Sequence, residues 1–223
     1  MRVLLAAIGL LALIACDDES TGPSDEGRLR VVHAVADVPL VDVHLGSTLV
    51  KEDLAYKAVS DQLVTGGSWA VKVRKADASA DLLSHTHDVQ PRRGYTVVAY
   101  GTEAEPRALA LTDDGSPPAS GKARIRVGHA AAGSGNVDVY VVKAVGDLAN
   151  ATAAATSIAP GAASSYLTVD ADTYIVILTA TGTKNPVLTV EGAALTAGKV
   201  QTLLAVAKTG GGTPLESIML SDR

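Results

Sequence analysis

The chain has 223 residues, 19 Lys and Arg against 24 Asp and Glu, a net charge of −5 and a single cysteine. An acidic chain without a concentrated basic run is not expected to bind nucleic acid. One cysteine cannot form an internal disulfide, so the fold has to be stabilised by packing.

The N-terminal residues have the pattern of a bacterial lipoprotein signal peptide. A basic start is followed by an apolar run of eleven residues, 4–14, and Ala15 precedes the chain's one cysteine, Cys16. The run is too short for a spanning helix, which needs about 20 residues, but it suits a cleaved secretory signal. Residues 13–16 (LIAC) resemble a lipobox. The resemblance implies a signal peptide over 1–15, a diacylglycerol on Cys16 and a membrane anchor. The alternative is an ordinary signal peptide with a chance cysteine.

Residues 16–27 predict a flexible tether. After Cys16 the segment reads DDESTGPSDEG, which is acidic and has no large apolar side chain. Such a segment buries too little apolar surface to fold. We therefore expect it to link the lipid to a folded part outside the cytoplasm, on an inner or outer envelope membrane that the sequence leaves undecided.

The rest of the chain contains two similar segments, offset by 96 residues. Residues 28–34 (RLRVVHA) reappear at 124–130 (RIRVGHA), and 9 of 18 positions are identical between residues 28–45 and 124–141. A duplicated unit explains this similarity. We expect repeat 1 over residues 28–114, a short linker over 115–121 and repeat 2 over 122–223.

Short alternating runs separated by turn residues predict strands in each repeat. In repeat 1 these are residues 28–34, 41–45, 61–64, 69–75, 82–89, 95–100 and 108–112. Such a spacing of short strands is typical of a β-sandwich. We predict an all-β protein with two tandem immunoglobulin-like or transthyretin-like β-sandwich domains after the signal peptide. Only residues 149–155 (ANATAAA) are left open between a helical turn and a loop.

Several motifs resemble one family. Repeat 1 carries RVVHA at residues 30–34, Pro39, VDV at 41–43 and GYTVVA at 94–99. This order is similar to that of the domain of unknown function 4397 family. The resemblance implies an envelope or secreted β-domain, often in tandem, and brings no established activity.

The duplicated histidines His33 and His129 lie on an apolar strand face. A ligand-binding or catalytic role is one interpretation. The favoured one is a core histidine that bonds the backbone of the following turn, because neither repeat shows a partner nucleophile.

His85 and His87 lie on one side of a predicted strand, and Trp69 begins another. The histidine pair would suit zinc or copper if a third ligand converged on it, and we expect neither a metal nor a cofactor. The aligned positions of repeat 2 hold Val190 and Gly192. Trp69 is a candidate for stacking on a sugar, but packing in a hairpin is the commoner role.

No set of residues amounts to a catalytic site, so we expect a non-enzymatic structural or interaction module, held on the membrane through lipidated Cys16. An envelope glycan- or peptide-binding protein that uses Trp69 is the alternative. A metal-dependent enzyme acting through His85 and His87 comes third. The expected partners are the membrane and an envelope glycan or protein.

Overall fold

The computed structural model describes residues 25–222. The predicted signal peptide, Cys16 and most of the predicted tether lie outside the described residues. The described part is built from strands in four sheets and a single 3₁₀ helix, η1 (Val145–Ala149), so the predicted all-β class is confirmed. None of its helices is long and apolar enough to cross a membrane.

The first sandwich is formed by the first half of the described chain. Its strands are β1 (Glu26–Val35), β2 (Leu40–Leu45), β3 (Thr48–Ala55), β4 (Val59–Thr65), β5 (Gly67–Lys75), β6 (Asp81–Val89), β7 (Gly94–Gly101) and β8 (Pro106–Asp113). One sheet has the order β4-β1-β7-β8 and the other β3-β2-β5-β6. Between them lies an apolar core that includes Leu29, Val31 and Val97. All seven strands predicted for repeat 1 are present.

The sequence pattern misses β3 because this strand lies at a sheet edge. Its sequence, TLVKEDLA, has no apolar alternation, and Leu54 is its one buried residue. Asp53 adopts a φ of +50°, and its backbone N–H donates to Asp42 Oδ1 at 3.0 Å. An edge strand with solvent beside it tolerates charge and irregular backbone.

The second sandwich is formed by the second half. Its strands are β9 (Lys122–Ala130), β10 (Val137–Val142), β11 (Ala155–Ile158), β12 (Ala162–Ala163), β13 (Leu167–Asp170), β14 (Asp172–Ala180), β15 (Pro186–Leu195), β16 (Val200–Val206) and β17 (Glu216–Ser221). The sheet orders are β12-β9-β16-β17, with β13 also on β9, and β11-β10-β14-β15. In both sandwiches the first strand runs parallel to the equivalent neighbour. β1 pairs with β7, and β9 pairs with β16.

A third apolar layer lies between the sandwiches. The outer faces of the sheets that contain β1 and β9 pack on each other and bury a shared cluster: Val32, Ala34, Val98, Tyr100, Leu109, Leu111, Ala130, Leu204, Val206 and Leu220. Both faces of β1 are therefore covered, one by its own sandwich and the other by the second sandwich.

Polar contacts fasten this interface at both ends. At the end where β1 begins, here called the entry end, Arg28 Nη1 donates to the carbonyl oxygen of Ser221 at 3.2 Å. At the opposite end, the far end, the backbone N–H of Gly210 donates to Ala36 O at 3.0 Å, and Lys57 Nζ lies 2.6 Å from Glu216 Oε2. The two sandwiches thus stand side by side, with β1 and β9 starting at the same end.

Candidate functional site

A buried ionic cluster lies at the entry end of the interface. Arg30 on β1 pairs with Asp113 on β8 at 2.7 Å and with Asp222, which follows β17. Arg126 on β9 pairs with Asp113 and lies 3.9 Å from Asp222. The four side chains are 0–6% exposed. Two guanidinium groups face two carboxylates, so the charges balance, as burial of ions requires.

Two threonines and two carbonyl groups complete the cluster in a nearly symmetric way. Arg30 Nε donates to Thr96 Oγ1 at 3.0 Å, and Arg126 Nε donates to Thr202 Oγ1 at 2.7 Å. Each Nη1 crosses to the other sandwich, where Arg30 donates to Ser221 O and Arg126 to Thr112 O, both at 2.8 Å. Each guanidinium group is thus hydrogen-bonded to both sandwiches, and the cluster holds the sandwiches together.

Tyr166 extends the cluster within the second sandwich. Its hydroxyl donates to Asp222 Oδ2 at 2.7 Å, and its ring lies 4.7 Å from the guanidinium carbon of Arg126. Burial raises the pKa of Tyr166 above its ordinary value. The ring therefore stays a neutral donor that supports the two ions.

A groove of about 780 Å³ opens at the entry end beside the cluster, with Asp113 and Asp222 in its lining. Its walls carry Arg28, Arg92 and Arg93 together with Glu26. Arg92 has a φ of +62°, and its backbone N–H donates to Glu26 O at 2.7 Å, which fixes the loop before β7 against the start of β1. Charges of both signs in one groove suit a polar, hydroxyl-rich ligand.

Asp114 closes the groove on the side of the linker. Hydrogen bonds from Ser116, and then the neighbouring Arg124, lower the pKa of Asp114 to about 2. Arg124 Nη2 lies 2.9 Å from Asp114 Oδ2. The carboxylate therefore stays ionised and already has a partner, so it is not free to act as a base near neutral pH.

A second opening, called here the histidine slot, lies between β6 and β8 at the edge of the first sandwich. Its volume is about 470 Å³, and its lining includes His85, His87, Tyr95, Ala110 and Thr112. The ring centroids of His85 and His87 are 5.8 Å apart, and His87 meets Tyr95 edge-on at 4.8 Å. Burial lowers the pKa of His87 below its usual value, and the neighbouring His85 adds to this effect.

Among residues 25–222, the histidine pair has no third protein ligand nearby. Across residues 25–222, no group of three or more His, Cys, Asp or Glu side chains is placed to hold a metal ion. The Nε2 atoms of both rings are nevertheless buried without a hydrogen-bond partner. Within the described chain the slot thus contains two imidazole nitrogens without a hydrogen-bond partner, but not a complete set of protein ligands for a metal.

The duplicated histidines lie inside the two sandwiches. His33 and His129 are both 0% exposed. Nε2 of His33 lies 2.8 Å from Val38 O, and Nε2 of His129 lies 3.0 Å from Gly135 O. Burial lowers the pKa of both rings. Each ring is placed to fix the turn that follows the first strand of its sandwich.

Trp69 lies half-buried at the start of β5, near the entry end. Its Nε1–H donates to Thr65 O at 2.9 Å, and the ring packs against the first core. One side of it lines a shallow pocket of about 300 Å³ that also contains Leu63, which is 69% exposed. The structure thus places Trp69 on β5, next to the strand β6 that carries His85 and His87, and the groove lies near them at the entry end.

Sequence reasoning misses the ionic cluster and the groove. The recurrence of arginine at positions 30 and 126 is the available signal, since it puts a charge twice on the strand face opposite Leu29 and Ile125. Their partners Asp113 and Asp222 lie 83 and 192 residues from Arg30. Such distant pairings do not follow from local patterns.

Three solved structures show a remote likeness to this chain. The N-terminal domain of AlgF from P. aeruginosa has a TM-score of 0.31 and 24% identity, and covers 40% of this chain and 96% of its own. The family 26 carbohydrate-binding module of Eubacterium rectale Amy13K, in complex with maltoheptaose, has a TM-score of 0.29 and 10% identity over 87% of this chain and 96% of its own. The Bacillus anthracis TIE protein has a TM-score of 0.25 and 8% identity over 81% of this chain and 34% of its own. Scores this low carry no information on ligands.

Sequence comparison is more informative. No curated protein matches the chain. A family model described as domain of unknown function DUF4397 matches residues 27–140, which span the first sandwich and continue through β9 into β10. This match covers just over half of the chain and includes the motifs at residues 30–34, 41–43 and 94–99. The chain therefore belongs to the DUF4397 family.

Proposed function

We propose that this protein is a non-enzymatic interaction module of the bacterial cell envelope, anchored through a lipid on Cys16. In this proposal it consists of two tandem DUF4397 units, over residues 28–114 and 122–223, joined by the linker 115–121. The 96-residue offset and the matching sheet orders of the two sandwiches support the duplication. The lipobox-like residues 13–16 support the anchor.

The observation that carries this proposal is the fastening of the sandwiches into one block. The ionic cluster at the entry end and the contacts of Lys57 and Gly210 at the far end oppose any rotation of one sandwich against the other. A rigid scaffold that carries loops is the common design of binding proteins. Such a block is suited to presenting loops rather than to opening and closing around a substrate.

The location of residue 25 indicates how this block would be oriented relative to the membrane. Residue 25, the first described residue, lies at the entry end, where the Gly66 N–H donates to Asp25 O at 2.8 Å. A chain anchored at Cys16 therefore places the entry end toward the membrane. The loops 36–39, 56–58, 102–105, 131–136 and 207–215 lie at the far end and face away from it. We infer that these loops make contact with envelope partners.

Two experiments test the proposal separately. Cells that express the full chain or Cys16→Ser are fed a labelled fatty acid and fractionated. We expect label and membrane association only with Cys16, and an unlabelled wild-type chain would overturn the anchor. In the second experiment, residues 17–223 are sedimented with cell wall, envelope polysaccharide and whole-cell surface fractions. Saturable binding supports an interaction module, whereas no binding to any fraction would leave a spacer role in its place.

A glycan ligand is a second candidate, favoured by the groove at the entry end. Arg92 and Arg93 flank its opening and Trp69 lies at the same end, so a sugar could meet donors, acceptors and an aromatic edge. The test compares saturable polysaccharide binding of residues 17–223 with that of Arg92→Ala, Arg93→Ala and Trp69→Ala. Lys199→Ala, an exposed cation outside the groove lining, serves as the control. Equal binding by all variants would exclude this groove.

A further inference from the structure

Two imidazole nitrogens of the histidine slot are buried and have no hydrogen-bond partner in the described part of the chain. They are Nε2 of His85 and Nε2 of His87, on one face of β6. A buried polar atom without a partner is destabilising, so a ligand that bonds to both nitrogens would stabilise this pair. Beside the rings, the facing strand β8 contributes the small side chains of Ala110 and Thr112, and Gln90 and Arg93 also line the slot.

The second sandwich closes the corresponding position with apolar side chains. In the first sandwich His85 lies opposite Val71 and His87 opposite Trp69. In the second, the residues opposite Val176 and Tyr174 are Val190 and Ala193. A bulge shifts the register there, so Ala193 and not Gly192 is the counterpart of His87. The same fold therefore needs no polar group at this place, and the two histidines are particular to the first sandwich.

We propose that His85 and His87 bind a divalent transition-metal ion in the histidine slot, with Cu²⁺ preferred over Zn²⁺. Imidazole is a favoured ligand of both ions, and Cu²⁺ binds most tightly among the divalent first-row metals. Metal–nitrogen bonds of about 2.0–2.1 Å put the centroids of two ligating imidazoles roughly 4.5–6.5 Å apart, depending on the angle at the metal. The observed separation of 5.8 Å falls in this range.

The remaining coordination positions are open to water or to an oxygen of a bound molecule. Tyr95 is not a free ligand, because its hydroxyl accepts a hydrogen bond from the Gln90 N–H at 3.2 Å. Asp88 also lines the slot, but it is exposed and its side chain leaves β6 on the face opposite to the two histidines. A site with two protein ligands holds its metal less tightly than a closed structural site, and it can exchange the ion or share it with a partner.

Trp69 supplies a direct readout, because it is the only tryptophan of the chain and is paired with His87 across β5 and β6. Residues 17–223 are titrated with CuCl₂ and, separately, with ZnCl₂, by calorimetry and by Trp69 fluorescence. We expect one Cu²⁺ per chain with strong quenching of Trp69, and weaker binding of Zn²⁺ without quenching. Copper electron paramagnetic resonance should show nitrogen ligands.

Matched variants separate the slot from other copper-binding groups. Loss of a group that only orients a metal ligand already weakens affinity about 10–100-fold, so His85→Gln and His87→Gln should each weaken Cu²⁺ binding at least that much. His44→Gln, on β2 beside Arg74, should keep wild-type binding. Far-UV circular dichroism confirms that each variant is folded. Wild-type affinity in the double variant His85→Gln/His87→Gln, or copper binding without quenching of Trp69, would overturn the site.

Discussion

Arg30 on β1 and Asp222 beyond β17 are 192 residues apart in the sequence and form an ion pair across the two sandwiches. The side chain of Arg30 is 2% exposed and that of Asp222 is 0% exposed. Because each sandwich contributes one of the two ions, the pair exists only when the sandwiches are in contact. It therefore links the stability of each sandwich to the presence of the other.

Removal of this carboxylate should destabilise the whole protein. Breaking a buried ion pair on one side costs about 3–5 kcal/mol, because the remaining charge stays buried. We expect Asp222→Asn to lower the free energy of unfolding by about that amount in urea. Glu103→Gln is the control, since Glu103 pairs with Lys75 where both side chains are nearly half exposed, and such a pair contributes about 1 kcal/mol or less. Equal effects of the two substitutions would contradict a structural role for the cluster.

The two sandwiches should unfold together. Trp69 fluorescence reports on the first sandwich alone, whereas far-UV circular dichroism reports on both. Since the third apolar layer and the ionic cluster connect them, we expect the two transitions in urea to coincide, as in a single cooperative unit. Clearly separated midpoints in the wild-type protein would show that the sandwiches are independent.

Gly128 on β9 should not tolerate a larger side chain. A Cβ atom at this position would lie 2.7 Å from Leu204 Cδ2 and 3.6 Å from Leu109 Cδ2 of the first sandwich. Overpacking of this kind costs about 1–3 kcal/mol, so Gly128→Val should lower the stability by at least 1 kcal/mol. Gly146→Ala is the control, because no atom lies within 4 Å of its added Cβ. Unchanged stability of Gly128→Val would mean that the interface is looser than the structure shows.

Stability should fall as the pH is lowered below 6.5. Burial lowers the pKa of His33 and His129 in the folded state, so the unfolded chain binds more protons as the pH falls through about 6.5. The stability from the neutral rings is therefore complete above that pH and is lost toward the lower folded pKa. Each ring contributes a slope of at most about 1.4 kcal/mol per pH unit.

This dependence is measured by urea unfolding at several pH values between 7.5 and 5.5, above the range in which carboxylates titrate. The variants His33→Gln and His129→Gln should be less stable at pH 7.5 and should show a smaller pH slope than the wild-type protein. If the double variant His33→Gln/His129→Gln retained the full wild-type pH slope, the pH dependence of stability would come from other groups.

The faces of single strands follow well from the sequence. Leu29 and Val31 alternate with Arg28 and Arg30 and lie in the first core, as their period of two predicts. The outcome for His85 and His87 is similar, because their spacing alone places both rings on one side of β6. A local pattern thus indicates which residues lie on the same strand face and whether that face will be buried.

The partner that covers a face is harder to predict. The whole of β7 is apolar or small on both sides, and its residues 95–101 are all buried. Such a continuous run indicates a strand covered on both faces, yet it does not identify the second sandwich as the cover. The histidine slot also depends on β8, whose Thr112 lies far from His87 in the sequence and reaches it only through the fold.

The carbonyl groups that Arg30 and Arg126 bond in the opposite sandwich have a practical consequence for anyone who cuts the chain. Separation within the linker 115–121 would leave each half with an arginine that lacks its acceptor, Ser221 O in one case and Thr112 O in the other, and with an apolar face open to water. The halves would associate or aggregate rather than behave as soluble single domains. Useful cloning boundaries for this protein therefore lie before residue 25 and after the second sandwich. For crystallisation or antibody production, both sandwiches should be expressed together as one unit.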